Sequence, residues 1–285
     1  MKLHFLGTGA AEGVPAMYCE CDVCKTIRLR GEAECHTRSQ LLIDEAVGID
    51  FPPDAYYRSL RMGVELSRLT HLLITHSHMD HFYAHDFILR GYKYASPLEK
   101  PLHIYGNEEV CAVYQECTRR EMREDVEKTI FVHNVLPFQP FAMGEQEEYV
   151  VTALPAQHSK TEQAYVYLIE KGEECYLHLT DTGRLPEESL QYLKEYLLSR
   201  GKTIGLVTFD CTFLFRTAGE VSRHMGLEDN AAMRARFCQD GIVDERTKYV
   251  ITHYSHNNSP LKETLQRAEE EYGVIAAFDG MKIEF

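Results

Sequence analysis

The chain has 285 residues, with 30 Lys+Arg against 44 Asp+Glu for a formal net charge of −14 at pH 7, and 44% hydrophobic with 26% charged residues. This is globular composition, which excludes disordered and collagen-like classes, and the acidic balance argues against a nucleic-acid polymer, whose phosphates are held by clustered Lys and Arg. Neither a signal peptide nor a run of roughly 18 apolar residues is present, so the expectation is a soluble cytoplasmic protein with no membrane association.

In chain order, the first strand, Lys2–Leu6, leads into Gly7-Thr8-Gly9-Ala10-Ala11-Glu12-Gly13. Glycines after a strand invite a dinucleotide-binding reading, but the spacing is off by one, and Pro15 and a cysteine cluster stand where a phosphate-capping helix should run. A tight backbone turn near a site is the better reading. Further strands are predicted at Gln40–Ile43, Ala46–Phe51, Leu69–Thr75, Leu102–Tyr105, Tyr149–Ala153, Ala164–Glu170, Glu174–Thr180, Ile204–Asp210, Tyr249–Ile251, Val274–Phe278 and Lys282–Phe285. Helices are predicted at Asp54–Met62, Phe82–Leu89, Glu108–Glu121, Glu187–Ser199, Glu228–Gln239 and Ser259–Glu271, the last opened by Ser259 as cap and Pro260 at the first helical position. The pattern predicts an α/β sandwich of two mixed sheets with helices, in one domain over residues 1–285.

The densest chemistry is Thr75-His76-Ser77-His78-Met79-Asp80-His81, directly after an apolar strand. His76 and His78 alternate along an extended segment and reach one cation together, while Asp80 and His81 offer an oxygen and a nitrogen to a second. His158, Asp181 and His253 each follow a predicted strand and complete a two-metal set, with Asp181, flanked by Gly183, as the bridging carboxylate. Two cations about 3.5–4 Å apart hold a hydroxide nucleophile and neutralise a developing oxyanion, which points to hydrolysis. The nitrogen and oxygen ligands suit zinc, manganese or iron. Asp50, at the end of its strand, is placed to orient a metal-binding histidine.

Nine cysteines in a cytosolic chain read as thiols or metal ligands. Cys19, Cys21 and Cys24 suit a closed zinc site in a loop at about 17–25, with a fourth ligand from Cys35, His36 or His256.

The His76–His81 run followed by His158, Asp181 and His253 resembles the metallo-β-lactamase superfamily. Gly7-Thr8-Gly9, Gly13-Val14-Pro15-Ala16, the cysteine cluster, Gln157-His158-Ser159-Lys160, Thr252-His253-Tyr254-Ser255-His256 and Phe278-Asp279-Gly280-Met281 resemble, more narrowly, the PhnP-type phosphodiesterases, which open a phosphoribosyl cyclic phosphate. The resemblance implies an αββα sandwich of two mixed sheets flanked by helices. It implies that His76, His78, His158 and Asp181 hold one active-site metal, that Asp80, His81, Asp181 and His253 hold the other, and that Cys19, Cys21, Cys24 and His256 hold a structural zinc.

By the same resemblance His224 contacts the substrate phosphate and protonates the leaving alkoxide, and Asp80 and His224 are the expected catalytic residues. The implied reaction is attack of a metal-bridging hydroxide on a small cyclic phosphate or phosphodiester, with Lys160 stabilising the added charge. Segments 83–130 and 212–222 differ from the family pattern and would shape the substrate pocket. The competing readings are an acyl hydrolase of the same fold (thioesterase or lactonase), an iron-dependent redox protein, and a catalytically silent relative. The expected partner is a small phosphate ester, and a monomer and a homodimer are both compatible with the chain.

Overall fold

The computed structural model describes residues 1–91, 93–96, 98, 100–219 and 221–285. Two seven-stranded sheets stack face to face. The first contains β1 (Lys2–Gly7), β2 (Gln40–Ile43), β3 (Val47–Ile49), β4 (His71–Leu73), β5 (Leu102–Gly106), β6 (Ile130–Asn134) and, at its other edge beside β1, β14 (Lys282–Glu284). The second runs β13 (Ile275–Ala276), β12 (Val243–Thr252), β11 (Ile204–Asp210), β10 (Glu174–Leu179), β9 (Tyr165–Lys171), β8 (Tyr149–Pro155) and β7 (Phe141–Met143). Each sheet is mixed: β14 through β3 and β7 through β10 pair antiparallel, whereas β3 through β6 and β10 through β13 pair parallel.

Side-chain alternation sorts the core into three layers. Along β9, Tyr165, Tyr167 and Ile169 enter the core between the sheets, while Val166 and Leu168 face outward under helices. Outside the second sheet lie α5 (Glu187–Arg200), α6 (Leu227–Asp240) and α7 (Lys262–Tyr272); outside the first lie α2 (Ala55–Met62), α3 (Glu108–Thr118) and the short α4 (Glu124–Glu127). On α5, buried Leu190, Leu193 and Leu197 repeat at helical spacing and form the stripe that meets the sheet. The result is the expected αββα sandwich.

Several elements differ from expectation. The segment 17–25 is loop only through Cys21, after which α1 (Asp22–Arg30) begins. Phe82–Leu89 is a 3₁₀ helix over Ala84–Leu89. The last helix starts at Lys262, because Ser259 takes a left-handed conformation (φ 53°) and its carbonyl accepts the Leu261 N–H at 2.7 Å, so Ser259 is no cap. Strands β6 and β7 and helices α1 and α4 were not predicted. Of the insert-like segments, 83–130 supplies the 3₁₀ helix, β5, α3 and α4, with Tyr92, Pro97 and Glu99 outside the described residues; 212–222 forms the loop before His224, with Glu220 outside them. Among the described residues, no helix is long and apolar enough to cross a membrane.

Candidate metal centre

The polar side chains arrive at the ends of strands, where a backbone leaving its ladder can turn them into a common space. Asp50 follows β3, His76–His81 follow β4, His158 follows β8, Asp181 follows β10, Asp210 ends β11 and His253 follows β12. Asp50, Asp181 and His253 all take left-handed backbone conformations (φ 63°, 55° and 65°), an uncommon state that non-glycine residues hold where surrounding packing fixes them. Gly183 permits the close approach that follows Asp181: a Cβ there would lie 1.9 Å from the Ser222 carbonyl oxygen.

Asp181 is the meeting point. His76, His78, His158 and Asp181 each present a ligand-type atom within 4.8 Å of the others, and so do Asp80, His81, Asp181 and His253. Asp181 Oδ1 lies 2.9 Å from His158 Nδ1, and Oδ2 lies 3.1 Å from His81 Nε2, 3.4 Å from His76 Nε2 and 3.7 Å from His253 Nε2. The other ring nitrogens are occupied: His81 Nδ1 donates to Asp50 Oδ2 at 2.6 Å, His76 Nδ1 meets Thr75 Oγ1 at 3.0 Å and His253 Nδ1 meets Thr212 Oγ1 at 2.9 Å. Asp50 in turn accepts the Thr75 N–H at 2.8 Å.

His81 Nε2, His158 Nδ1, Asp181 Oδ1 and His253 Nε2 are buried atoms with no hydrogen bond of acceptable angle, despite their short separations. Buried polar atoms without partners are costly. Donor atoms that converge without sharing protons fit a cation site, and the nitrogen and carboxylate set is one that binds divalent metals. The electrostatics agree: burial alone would raise the Asp181 carboxyl, but the surrounding His253, His158, His224 and His81 hold it well below the usual range. Asp80, opposed by burial and favoured by His81, is likewise held low.

A third group adjoins the pair. His224 Nδ1 lies 3.0 Å from both Asp181 Oδ1 and Asp210 Oδ2. Burial would lower this imidazole, but Asp210 and Asp181 push it up to about 11. Its ring stacks on His253 at 5.6 Å and meets His158 edge-on at 5.3 Å. The sequence reading missed Asp210 and Thr212, although the position of Asp210 at the end of an apolar strand matches that of Asp181 and was the available signal. Lys160, two residues beyond His158, is exposed and has no hydrogen bond or ion pair among the described residues.

The cysteines form a separate cluster. Cys19, Cys21, Cys24 and His256 gather within 4.8 Å, with His256 Nδ1 3.5 Å from the sulfurs of Cys19 and Cys21. The backbone N–H of Cys24 and the His256 ring lower the exposed Cys21 thiol to about 6, toward the thiolate form. Cys35 turns to the Gly31 carbonyl and His36 to Thr8 Oγ1, so of the three candidate partners His256 is the one the fold brings in. The Gly7–Gly13 turn runs beside this loop, with Tyr254 N–H donating to Thr8 O and Ala10 N–H to Tyr254 O, each at 2.9 Å.

A family model described as a beta-lactamase superfamily domain matches residues 48–253. Among solved structures, a diphosphatase from the PhnP family superposes with a TM-score of 0.71 at 22% identity, over 100% of this chain and 97% of that one. Zn²⁺-bound PqqB from Methylobacterium extorquens gives 0.73 at 16% identity over the full length of both, and the short form of human tRNase Z gives 0.68 at 17% over 100% and 99%. At these identities the likeness is one of fold. Among curated proteins, an octanoyltransferase of Porphyromonas gingivalis is 35% identical over 85 residues, a stretch spanning 28% of this chain and 16% of that protein.

Proposed function

Because the chain belongs to the beta-lactamase superfamily, we propose that it is a binuclear metal-dependent phosphodiesterase acting on a small cyclic phosphate or phosphodiester, such as a phosphoribosyl 1,2-cyclic phosphate. The observation that carries this reading is the position of Asp181, whose carboxylate belongs to both ligand groups and lies within 3.4 Å of His76 and His158 from one and 3.1 Å of His81 from the other. His76, His78, His158 and Asp181 would hold one divalent ion, and Asp80, His81, Asp181 and His253 the other, with zinc, manganese and iron all suited to the donor set. When bound, such a pair activates water and polarises a phosphoryl oxygen. Cys19, Cys21, Cys24 and His256 would hold a structural zinc that ties the N-terminal loop to the segment carrying His253.

The chain's own residues do the rest. Asp210 holds His224 by Nδ1, so the proton passed to the leaving oxygen is the one on Nε2. An alkoxide leaves poorly without protonation, which gives that transfer its value. Lys160 supplies positive charge for the phosphate from the loop beyond His158. The net charge of −14 weighs against a polyanionic polymer as substrate. The test is one enzyme preparation assayed on a bis-aryl phosphate, a cyclic ribose phosphate, a thioester and a lactone. Turnover of the phosphodiesters is expected; turnover confined to the acyl substrates contradicts the reading.

A further inference from the structure

Ser77 stands between His76 and His78, and both of its donors go to one carboxylate: its backbone N–H donates to Glu162 Oε2 at 3.0 Å and its hydroxyl to Oε1 at 2.7 Å. Glu162 lies on the same β8–β9 loop as His158 and Lys160. Asn107, which caps α3 by accepting the Val110 N–H at 2.8 Å, donates its side-chain amide to Glu162 Oε2 and to the Gln163 carbonyl, each at 2.8 Å. One carboxylate therefore joins three segments: the turn from the first sheet that carries His76 and His78, the loop from the second sheet that carries His158, and the capped end of α3.

We propose that Glu162 is a positioning residue that sets the separation of His76, His78 and His158, and so the affinity of the cation position they share with Asp181. Backbone pairing of Tyr165 N–H with Thr75 O at 2.8 Å fixes the chain just before His76. Beyond that point the turn into exposed His78 is held at Ser77 by Glu162. Removing the carboxylate leaves three donors without an acceptor at the place where the two ligand loops meet, and partners that orient ligands from outside the coordination shell are worth about 10–100-fold in metal affinity. The proposal rests on reading His76, His78 and His158 as ligands.

The experiment is titration of the full-length chain, with its active-site ions removed and its cysteine-bound zinc kept, with Mn²⁺, read by the electron paramagnetic resonance of the free ion, since this hard cation favours the nitrogen and oxygen set over thiolates. Glu162→Ala is expected to weaken one of two Mn²⁺ sites by about 10–100-fold, with kcat/KM restored by excess Mn²⁺ and the zinc content of the cysteine cluster unchanged. Glu162→Gln, which keeps one acceptor oxygen, should fall between Glu162→Ala and wild type. Ser77→Ala loses a single hydroxyl and covers the case of a poorly folded Glu162→Ala; about 2–10-fold is expected. Wild-type Mn²⁺ affinity in Glu162→Gln and Ser77→Ala, alongside weakened binding in His78→Ala, overturns the role of Glu162. Undiminished binding in His78→Ala overturns the ligand assignment beneath it.

Discussion

Asp210 Oδ2 lies 3.0 Å from His224 Nδ1, while its Oδ1 accepts the backbone N–H groups of Thr212 and Met225 at 3.0 Å each. The carboxylate is fully buried and the imidazole about a quarter exposed, so a rigid group aims a reachable one. If His224 protonates the leaving oxygen, His224→Ala should cost roughly 10²–10⁴-fold in turnover with metal content retained, and less for an aryl than an alkyl leaving group. Equal losses for both leaving groups would refute the role. Asp210→Asn, which places a donor against Nδ1, should lose about 10–100-fold on the alkyl substrate, measured by steady-state kinetics.

His78 is exposed, unlike His76, His158 and Asp181, which are buried. His78→Ala should therefore remove a ligand without opening the core. Hydrolysis should fall by more than about 10³-fold, on the scale of losing a metal's contribution of several kcal/mol, while the melting temperature of the metal-free protein moves little. Turnover equal to wild type would contradict the two-metal reading.

Cys21→Ser tests the other cluster. It should lower the zinc content by about one atom per chain and bring unfolding down by several degrees, because a closed site contributes its binding energy to folding. Unchanged zinc and unchanged unfolding would remove the structural-zinc proposal.

Away from both clusters, His4 and His71 are each lowered to about 4, mainly by burial, with Lys282 and His103 respectively as the next cause. In the unfolded chain each titrates near 6.5, at the ordinary value. Between those limits the unfolded state binds more protons, so stability rises with pH through the window. It is fully present above about 6.5 and is lost as pH falls toward 4. His71→Gln should flatten this acid limb by up to about 1.4 kcal/mol per pH unit, one proton's worth, as measured by urea unfolding from pH 7 to 4.5. An unchanged slope would contradict it.

How far the sequence carried depends on how each feature is built. Strands β9 and β11 are buried on both faces and read as continuous apolar runs. Strand β6 has one fully buried residue in five, and β7 is a three-residue edge, so neither leaves a period to detect. Helix α1 buries only Cys24 and Ile27 in nine residues, too little for an apolar stripe. At the site, the His76–His81 run was legible because ligand-type residues crowd a short segment, and His158, Asp181 and His253 because each follows a strand. Asp210 shares that placement but reads alone as an ordinary strand end. Glu162 carries no local signal: its partners Ser77 and Asn107 lie 85 and 55 residues away in sequence.

In the proposed site Asp181 would join two cation positions beside His224, the histidine that protonates the leaving oxygen. The most direct measurement is elemental mass spectrometry of the purified chain and its Asp181→Asn variant, paired with turnover of a cyclic ribose phosphate. About three metal ions per chain with turnover are expected in the wild type, and in the variant loss of the active-site pair and of turnover with the cysteine-bound zinc retained. A variant that keeps its full metal complement, or a wild type that turns over the phosphodiester with a single zinc, would contradict it.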